Sequence, residues 1–398
     1  MNANIKSFYA HASADWRMKF TNKIVTKAVN ATLTYQDGSE AVDLASGGFG
    51  HQQSDITKAV KKQVALMPLS NRVMISPTLA EFAKTLDQAL PDPLAVSYIC
   101  NSGEESFDGA LKLAKGLHRD RFKVVVVRGS NFGSLSFATL FNELDAPNLK
   151  HLPLKPVFVT ANDKDMLTNS IDDSTLAVVY EPVLVNDEIT PLSTDYLEHM
   201  RVLCHQTRAC MIAYEVNSGL GRYGVDFAIE LSGVVPDTLV LGGALNGGCI
   251  PVGVYVTRKA INDAVYGHQN PSLHGSTTGG NPASCVAGRK AIEVMKSHKL
   301  SARQVDLGQR FSNGLKFTDS VEIKYLGSLV LLNFTCEHIA QQFQQQALAS
   351  GINIAKAKAK SKTLTLTPPL TITDSEVDFA ISRINQIALN IFDKKDTA

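Results

Sequence analysis

From Ala95 to Arg258 the chain alternates short β-branched runs with longer amphipathic stretches. The runs are AVSYIC, KVVVVR, AVVYE, CMIAYE, TLVLGG and VGVYVT, with helical patterns following several of them. This alternation predicts a mostly parallel sheet with helices on both faces, because parallel strands need long crossovers and are buried on both sides. After AVSYIC, the spacing of Phe107, Ala110, Leu111 and Ala114 predicts a helix with one apolar stripe and with Lys112 and Lys115 facing out. Its start falls just after Asn101-Ser102-Gly103.

Beyond Ala291 the strands are less regularly spaced, and a last helix is predicted from the stripe Val377, Ile381, Ile384, Ala388 and Ile391. Thr373 and Glu376 have the spacing of a capping box that would start it. Near the beginning, LTYQDGSEAVDL reads as a hairpin turning at Asp37-Gly38. The expected organisation is therefore α/β: residues 1–45 joining the small domain, 46–290 forming a large α/β domain, and 291–398 forming a smaller α+β domain.

Length and charge narrow the function classes. A chain of 398 residues can bury a large core, and a net charge of +1 provides no global field to recruit nucleic acid or an anionic membrane. The six cysteines, Cys100, Cys204, Cys210, Cys249, Cys285 and Cys336, are scattered, with no CxxC pair and no histidine at metal-ligand spacing. Free thiols and no metal site are the expectation. The opening stretch MNANIKSFYAHASADWRMKF lacks the apolar run of a secretory signal, which points to a cytoplasmic protein with no membrane segment. The alternation of Lys356, Lys358, Lys360 and Lys362 reads as a solvated strand edge that blocks pairing, or else as a site for an anionic ligand or acidic partner.

Glycine-rich and polar turns follow several of the predicted strands, where α/β sheets bind ligands. They are NSGEES at 101–106, EVNSGLGR at 215–222, LGGALNGGCIP at 241–251 and HGSTTGGNP at 274–282. Together with DLASGGFGH at 43–51, EPV at 181–183 and LTLTPPLTIT at 364–373, their order resembles that of the class III aminotransferases over nearly the whole chain. The resemblance implies a fold-type-I architecture with a seven-stranded type of sheet, built around pyridoxal phosphate. It also implies that Ser102, Gly103 and Glu104 form the turn that holds the cofactor phosphate at a helix amino terminus. Asn217 falls within the cofactor-binding segments, and Thr277 would reach the phosphate site of a neighbouring subunit in a dimer.

Measured against that family, several positions differ. Where the resemblance puts the cofactor lysine, this chain has Gly243, and the stretch from Asp165 to Arg258 contains no lysine. Where it puts the aspartate that pairs with the pyridinium nitrogen, the chain has Tyr214. The ring-stacking aromatic aligns with Asn131, with Phe132 beside it as a substitute, and a substrate-binding arginine aligns with Thr365. Glu104 stands where a small residue is usual, and an inward carboxylate there would repel a phosphate. A glycine supplies neither the amine that forms an aldimine nor the base that moves its proton.

Three readings follow. In the first, the chain is a pseudoenzyme, a homodimer or a heterodimer with an intact paralogue, with no covalently bound cofactor and with pyridoxal or pyridoxamine phosphate held noncovalently if at all. In the second, the old cleft between the domains binds a small nitrogen-containing metabolite and carries out lysine-independent acid/base chemistry, with Glu215, Tyr214, Glu181 and His274 as candidate groups. In the third, the alignment has slipped and the chain is a conventional aminotransferase. Against the second stands the commoner use of such carboxylates and histidines, which is to satisfy backbone amides.

Overall fold

The computed structural model describes residues 23–70, 75–142, 152–267, 274–317, 320–357 and 361–392, together with residues 4, 7, 8 and 10. A seven-stranded sheet dominates it, with the strands Leu94–Cys100, Gly253–Arg258, Thr238–Leu241, Cys210–Glu215, Thr175–Tyr180, Lys123–Val127 and Lys155–Val159 in that spatial order. Only Gly253–Arg258 runs antiparallel to its neighbours; the other pairings are parallel. The alternation in the sequence thus becomes a mixed, mostly parallel sheet.

Side-chain alternation along each strand divides the core into two layers. Val125, Val127, Val178, Tyr180, Met211 and Ala213 join one cluster, which the helices Pro77–Ala89, Thr194–Thr207 and Pro282–Ser297 cover. Val124, Val126, Ala177, Val179, Ile212 and Tyr214 join the other, which Gly103–Leu117 covers with Phe107, Ala110, Leu111 and Ala114. On that helix Lys112 is exposed, whereas the half-buried Lys115 bonds the carbonyl of Arg121 at 2.8 Å and lies over the Phe122 ring.

A second, four-stranded sheet is made of Val321–Leu326, Leu329–Phe334, Thr363–Leu366 and Ala355–Lys356. Val330, Leu332, Leu364 and Leu366 pack with Leu307 and Phe311, with Phe343, and with Val377, Ile384 and Ile391, from the helices Leu300–Gly314, Glu337–Ala349 and Asp374–Phe392. The alternate residues Leu329 and Leu331 turn the other way, onto Val183, Tyr223 and Ala228. The small sheet is thereby seated against the segment that follows Cys210–Glu215. Of the alternating lysines, Lys358 and Lys360 lie outside the described residues, and Lys356 pairs with Glu337 at 3.3 Å.

The hairpin near the start is formed by Thr32–Tyr35 and Glu40–Asp43, with Gly38 at φ +81° in the turn. Glu40–Asp43 pairs in parallel with Ile352–Asn353, so this hairpin adds to the C-terminal part of the chain. Glu376 closes the same junction. It accepts from the backbone N–H of Thr373 (2.8 Å), completing the capping box, and from Asn30 (2.9 Å) and Thr32 (3.1 Å). Thr373→Ala is expected to lower stability by about 1 kcal/mol, the usual loss of a cap, and Glu376→Ala by more, because the ties to Asn30 and Thr32 are lost as well. The midpoints of urea unfolding of the two variants check the ranking.

Candidate functional site

Three of the glycine-rich segments converge at Val216, the first residue after Cys210–Glu215. Its side chain packs on Gly103, where an added Cβ would stand 2.3 Å from Cγ2, and it also borders Gly242. Its carbonyl oxygen lies 2.1 Å from the place a Cβ on Gly243 would take. Gly243 has φ +50°, in the left-handed region, so a side chain here would be both strained and blocked by backbone.

Beside this junction is a cavity of about 430 Å³. Its walls are the segment from Ser46 to His51, then Val216, Asn217 and Arg222, and then Gly243, Ala244, Asn246 and the run from Gly248 to Pro251. Of the residues singled out from the sequence, Gly243 and Asn217 line it. Glu181 reaches it through Asn217, whose side-chain amide donates to the Glu181 carboxylate at 3.1 Å. The backbone N–H of Asn131 donates to the other Glu181 oxygen at 2.7 Å. Burial pushes the Glu181 carboxyl up to about 7, and these two hydrogen bonds oppose that shift.

Tyr214 and Glu215 leave their strand on opposite faces of the sheet. Tyr214 joins an aromatic cluster, with the rings of Phe107 and Phe132 each 5.3 Å away and turned nearly edge-on to it. Burial, and then the charges of Glu181 and Glu104, raise its phenol pKa above the ordinary value, so it is neutral at pH 7. Phe132 is fully buried and stacks on Phe107 at 4.8 Å, which makes it part of the core. Glu215 is fully buried and accepts from the backbone N–H groups of Ala228 and Ile229, both at 2.7 Å. It caps the short helix Ala228–Leu231, and burial pushes its carboxyl up to about 7 against those bonds.

At the amino end of Gly103–Leu117, Ser102 is the cap and accepts from the N–H of Glu105 at 3.1 Å. Glu104 is half-buried, and its carboxylate accepts from Ser134 N–H (3.0 Å) and Leu135 N–H (3.1 Å), just ahead of the helix Ser136–Leu140. The Glu104 side chain passes over Gly133, where a Cβ would meet its Cδ at 2.3 Å. Asn101 ties this turn to the 274–282 segment, donating to Ser276 at 2.9 Å and accepting from Thr278 at 3.1 Å. His274 is buried against Tyr98 (ring centroids 4.6 Å apart) and Tyr255, beside Gly109 in the middle of the helix. It does not line the cavity with Gly243. Thr277 is exposed.

The sequence reading missed two features of the cavity. His51 Nε2 lies 2.9 Å from the carboxylate of the fully buried Asp43, which also accepts from Asn353 at 2.9 Å. Burial would raise the Asp43 pKa, but hydrogen bonds, that of His51 foremost, outweigh it and hold the group below its ordinary value. The second feature is Arg222, whose guanidinium packs against Gly47; a Cβ there would stand 2.2 Å from Nη2. Arginine inside a glycine-rich turn after a fully buried strand was the available signal. Among the described residues no group of three or more histidine, cysteine, aspartate or glutamate side chains could hold a metal, and no helix is long and apolar enough to cross a membrane.

Two outcomes follow from the buried carboxylates. Glu215→Gln turns an amino group toward one of the two capped amides, and stability should fall by about 1–3 kcal/mol, the cost of an unsatisfied buried donor, as read from chemical unfolding. Glu181 sits at about 7 when folded against an ordinary 4.5, so between those values the folded state keeps a proton that the unfolded chain has released. The stability contributed by this group therefore falls as pH rises through that window. Glu181→Gln should remove about one proton from the slope of unfolding free energy against pH.

The comparisons agree with the fold and place the chain in a family. The model of the family described as aminotransferase class-III matches residues 13–388. Among solved structures, ornithine aminotransferase from Toxoplasma gondii superposes with a TM-score of 0.87 at 22% identity, covering 98% of this chain and 95% of that one. A transaminase from the marine bacterium Virgibacillus gives 0.85 at 19% identity, covering 99% and 100%. Acetylornithine aminotransferase from Elizabethkingia anophelis gives 0.81 at 22% identity, covering 97% and 98%. The seven-stranded mixed sheet is that of the fold-type-I, pyridoxal phosphate-dependent aminotransferases, and the chain belongs to the class III aminotransferase family.

Proposed function

We propose that this protein does not transaminate through a Schiff base to a lysine of its own and acts as a pseudoenzyme or partner subunit in amino acid or amine metabolism. The observation that carries this reading is the crowding at Gly243, where φ is +50° and the Val216 carbonyl oxygen occupies the space a side chain would need. The reading takes residue 243 as the family's lysine position, as the motif LGGALNGG suggests. In this reading Thr277, exposed in its turn, is available to a second subunit, either another copy or an intact paralogue.

The residues around the junction do not fit a lysine-bound pyridoxal phosphate. The turn at the amino end of Gly103–Leu117 would attract an anion through its N–H groups, but the Glu104 carboxylate already stands there, bonded to Ser134 and Leu135. A second negative group beside it is disfavoured by like-charge repulsion. At residue 214, a neutral buried phenol replaces a charge that could hold a protonated ring nitrogen.

A second reading keeps an enzyme that uses acid/base chemistry, and one observation favours it. Glu181 is displaced toward neutrality and stands one amide away from the cavity. The other candidate groups support it less: Glu215 caps a helix on the opposite face from Tyr214, and His274 lies behind the middle of Gly103–Leu117.

Incubation with pyridoxal phosphate followed by borohydride should leave no reduced adduct on any lysine of this chain, as read by peptide mass spectrometry; a mapped adduct would overturn the proposal. Gly243→Lys should not restore an aldimine absorbance, because the new side chain would meet the Val216 carbonyl. Glu104→Ala, by contrast, removes the competing carboxylate and should raise noncovalent affinity for pyridoxal phosphate by about tenfold, equivalent to ~1.4 kcal/mol, in a fluorescence titration.

A further inference from the structure

The pair of Asp43 with His51 is held more firmly than a structural tie between two segments requires. Asp43 is fully buried, and one of its oxygens accepts from the N–H groups of Ala45 (3.0 Å) and Ser46 (3.3 Å) and from Asn353 (2.9 Å), while the other faces His51 Nε2. The backbone of His51 is fixed as well, exchanging hydrogen bonds with Asn30 at 2.6 and 2.8 Å. An ionised Asp43 only accepts, so in the neutral imidazole the proton sits on Nε2 and Nδ1 keeps its lone pair. Among the described residues Nδ1 meets no hydrogen-bond partner, and the His51 side chain, 28% exposed, lines the cavity.

Cys249 is the thiol of the same cavity. Of the six cysteines, Cys100, Cys204, Cys210 and Cys285 are buried and Cys336 is exposed ahead of the helix Glu337–Ala349, whereas the half-buried Cys249 stands in the cavity wall. Its segment packs directly on that of His51. The Gln52 N–H donates to the Gly248 carbonyl at 3.2 Å, and the Gly50 carbonyl takes the space a side chain on Gly248 would need. The backbones at 50–52 and 248–249 are therefore neighbours at one edge of the cavity, the first carrying an imidazole and the second a thiol. Arg222, with Nη1 buried and unpaired among the described residues, adds a donor to that space from a third segment. A thiol, a base oriented by a buried carboxylate and a cationic donor for a developing oxyanion are the parts of a cysteine acyl-transfer site, which is recognised by roles rather than by order in the chain.

We propose that Cys249 is a nucleophile toward small esters, with His51 as its base and Asp43 as the positioning residue for that base. Sγ adds to the ester carbonyl carbon while its proton passes to His51 Nδ1. The C–O bond to the alcohol then breaks, the alcohol leaves with that proton, and a thioester remains on Cys249. Water adds to the thioester carbonyl and gives a proton to the same nitrogen; the C–S bond breaks, the acid departs and the thiol regains the proton. Nothing is oxidised or reduced in either half. The proposal goes beyond the loss of transamination, and it rests on the reading that no lysine-bound cofactor fills this cavity.

The probe is p-nitrophenyl acetate, mixed with the full-length protein without pyridoxal phosphate. Peptide mass spectrometry should find Cys249 acetylated at least about tenfold faster than Cys336, a modest share of what a positioned base contributes. Cys336 is a demanding reference, because it is exposed and sits at a helix amino terminus, where thiolates are favoured. Release of p-nitrophenolate should show a burst of about one equivalent and then steady turnover, and Cys249→Ala should remove both. His51→Gln should bring the Cys249 rate down to that of Cys336 or below it; acetylation of the buried Cys100 or Cys285 would mark a variant that has unfolded, and the wild-type ratio and Cys249→Ala then decide. Nitrogen NMR should place the proton of neutral His51 on Nε2, and Asp43→Asn should lose that preference. Cys249 acetylated no faster than Cys336, a thioester that never turns over, turnover that survives Cys249→Ala, a Cys249 rate unchanged in folded His51→Gln, or a wild-type His51 protonated on Nδ1 would overturn the proposal. A borohydride-trapped lysine adduct would instead count against the pseudoenzyme reading, which Cys249 acetylation does not test.

Discussion

The contact of Val216 with three glycines holds the functional edge of the sheet together. Val216 leaves Cys210–Glu215 at the carboxyl edge, and its side chain and carbonyl together touch Gly103, Gly242 and Gly243. They come from two segments of the sequence, NSGEES and LGGALNGG; at Gly103 and Gly243 the Val216 atoms already take the space of a side chain, and at Gly242 the Gly103 backbone does so, with Val216 beside it. Gly103 also opens the helix that covers one face of the sheet, and Gly242 follows the strand Thr238–Leu241, so a bulkier residue at either would push helix and sheet apart. The motifs are thus one packed junction with several addresses in the chain.

Around this junction the charged groups are divided by the alternation of strand residues. Tyr214 and Glu215 are neighbours in sequence but serve different layers, one inside an aromatic cluster and the other capping Ala228–Leu231. Glu104 and Glu181 also spend hydrogen bonds on backbone amides, at Ser134 and Leu135 and at Asn131. A carboxylate that organises two loop amides is restrained from moving toward a ligand. What remains directed into the cavity is chiefly backbone, amide side chains, the His51 imidazole and one cation.

Much of the fold was legible because burial period is a direct readout of layers. The runs KVVVV and TLAVVY alternate their residues between two cores, and the Thr373 to Glu376 spacing closes into a cap at the distances such a box requires. The candidate site was less legible. Glu215 carries the same letters whether it points at a ligand or at Ala228, and only the strand's phase relative to the sheet separates the two. Arg222 and the pair of Asp43 with His51 escaped notice because their meaning lies in what they touch: Arg222 stands out because its Nη1 meets no hydrogen-bond partner among the described residues, which a sequence does not record. Phe132 had a residue type that suits ring stacking on a ligand, yet its ring is committed to Phe107.

Retention of family glycines has a narrower meaning here than the motifs suggest. A glycine that admits a cofactor and one that admits a neighbouring side chain look identical in sequence, and at Gly103 the neighbour is Val216. Packing alone is enough to preserve Gly103 and Gly242, because an added Cβ at either would meet the Val216 side chain or neighbouring backbone. The groups that do chemistry are under no such geometric constraint: residue 214 can be a tyrosine in an aromatic cluster, and residue 104 a glutamate bonded to a loop, without disturbing the sheet. Scaffold and chemistry can therefore part company at one site, and the scaffold left behind still encloses a cavity with the Arg222 guanidinium on its wall, unpaired at Nη1 among the described residues.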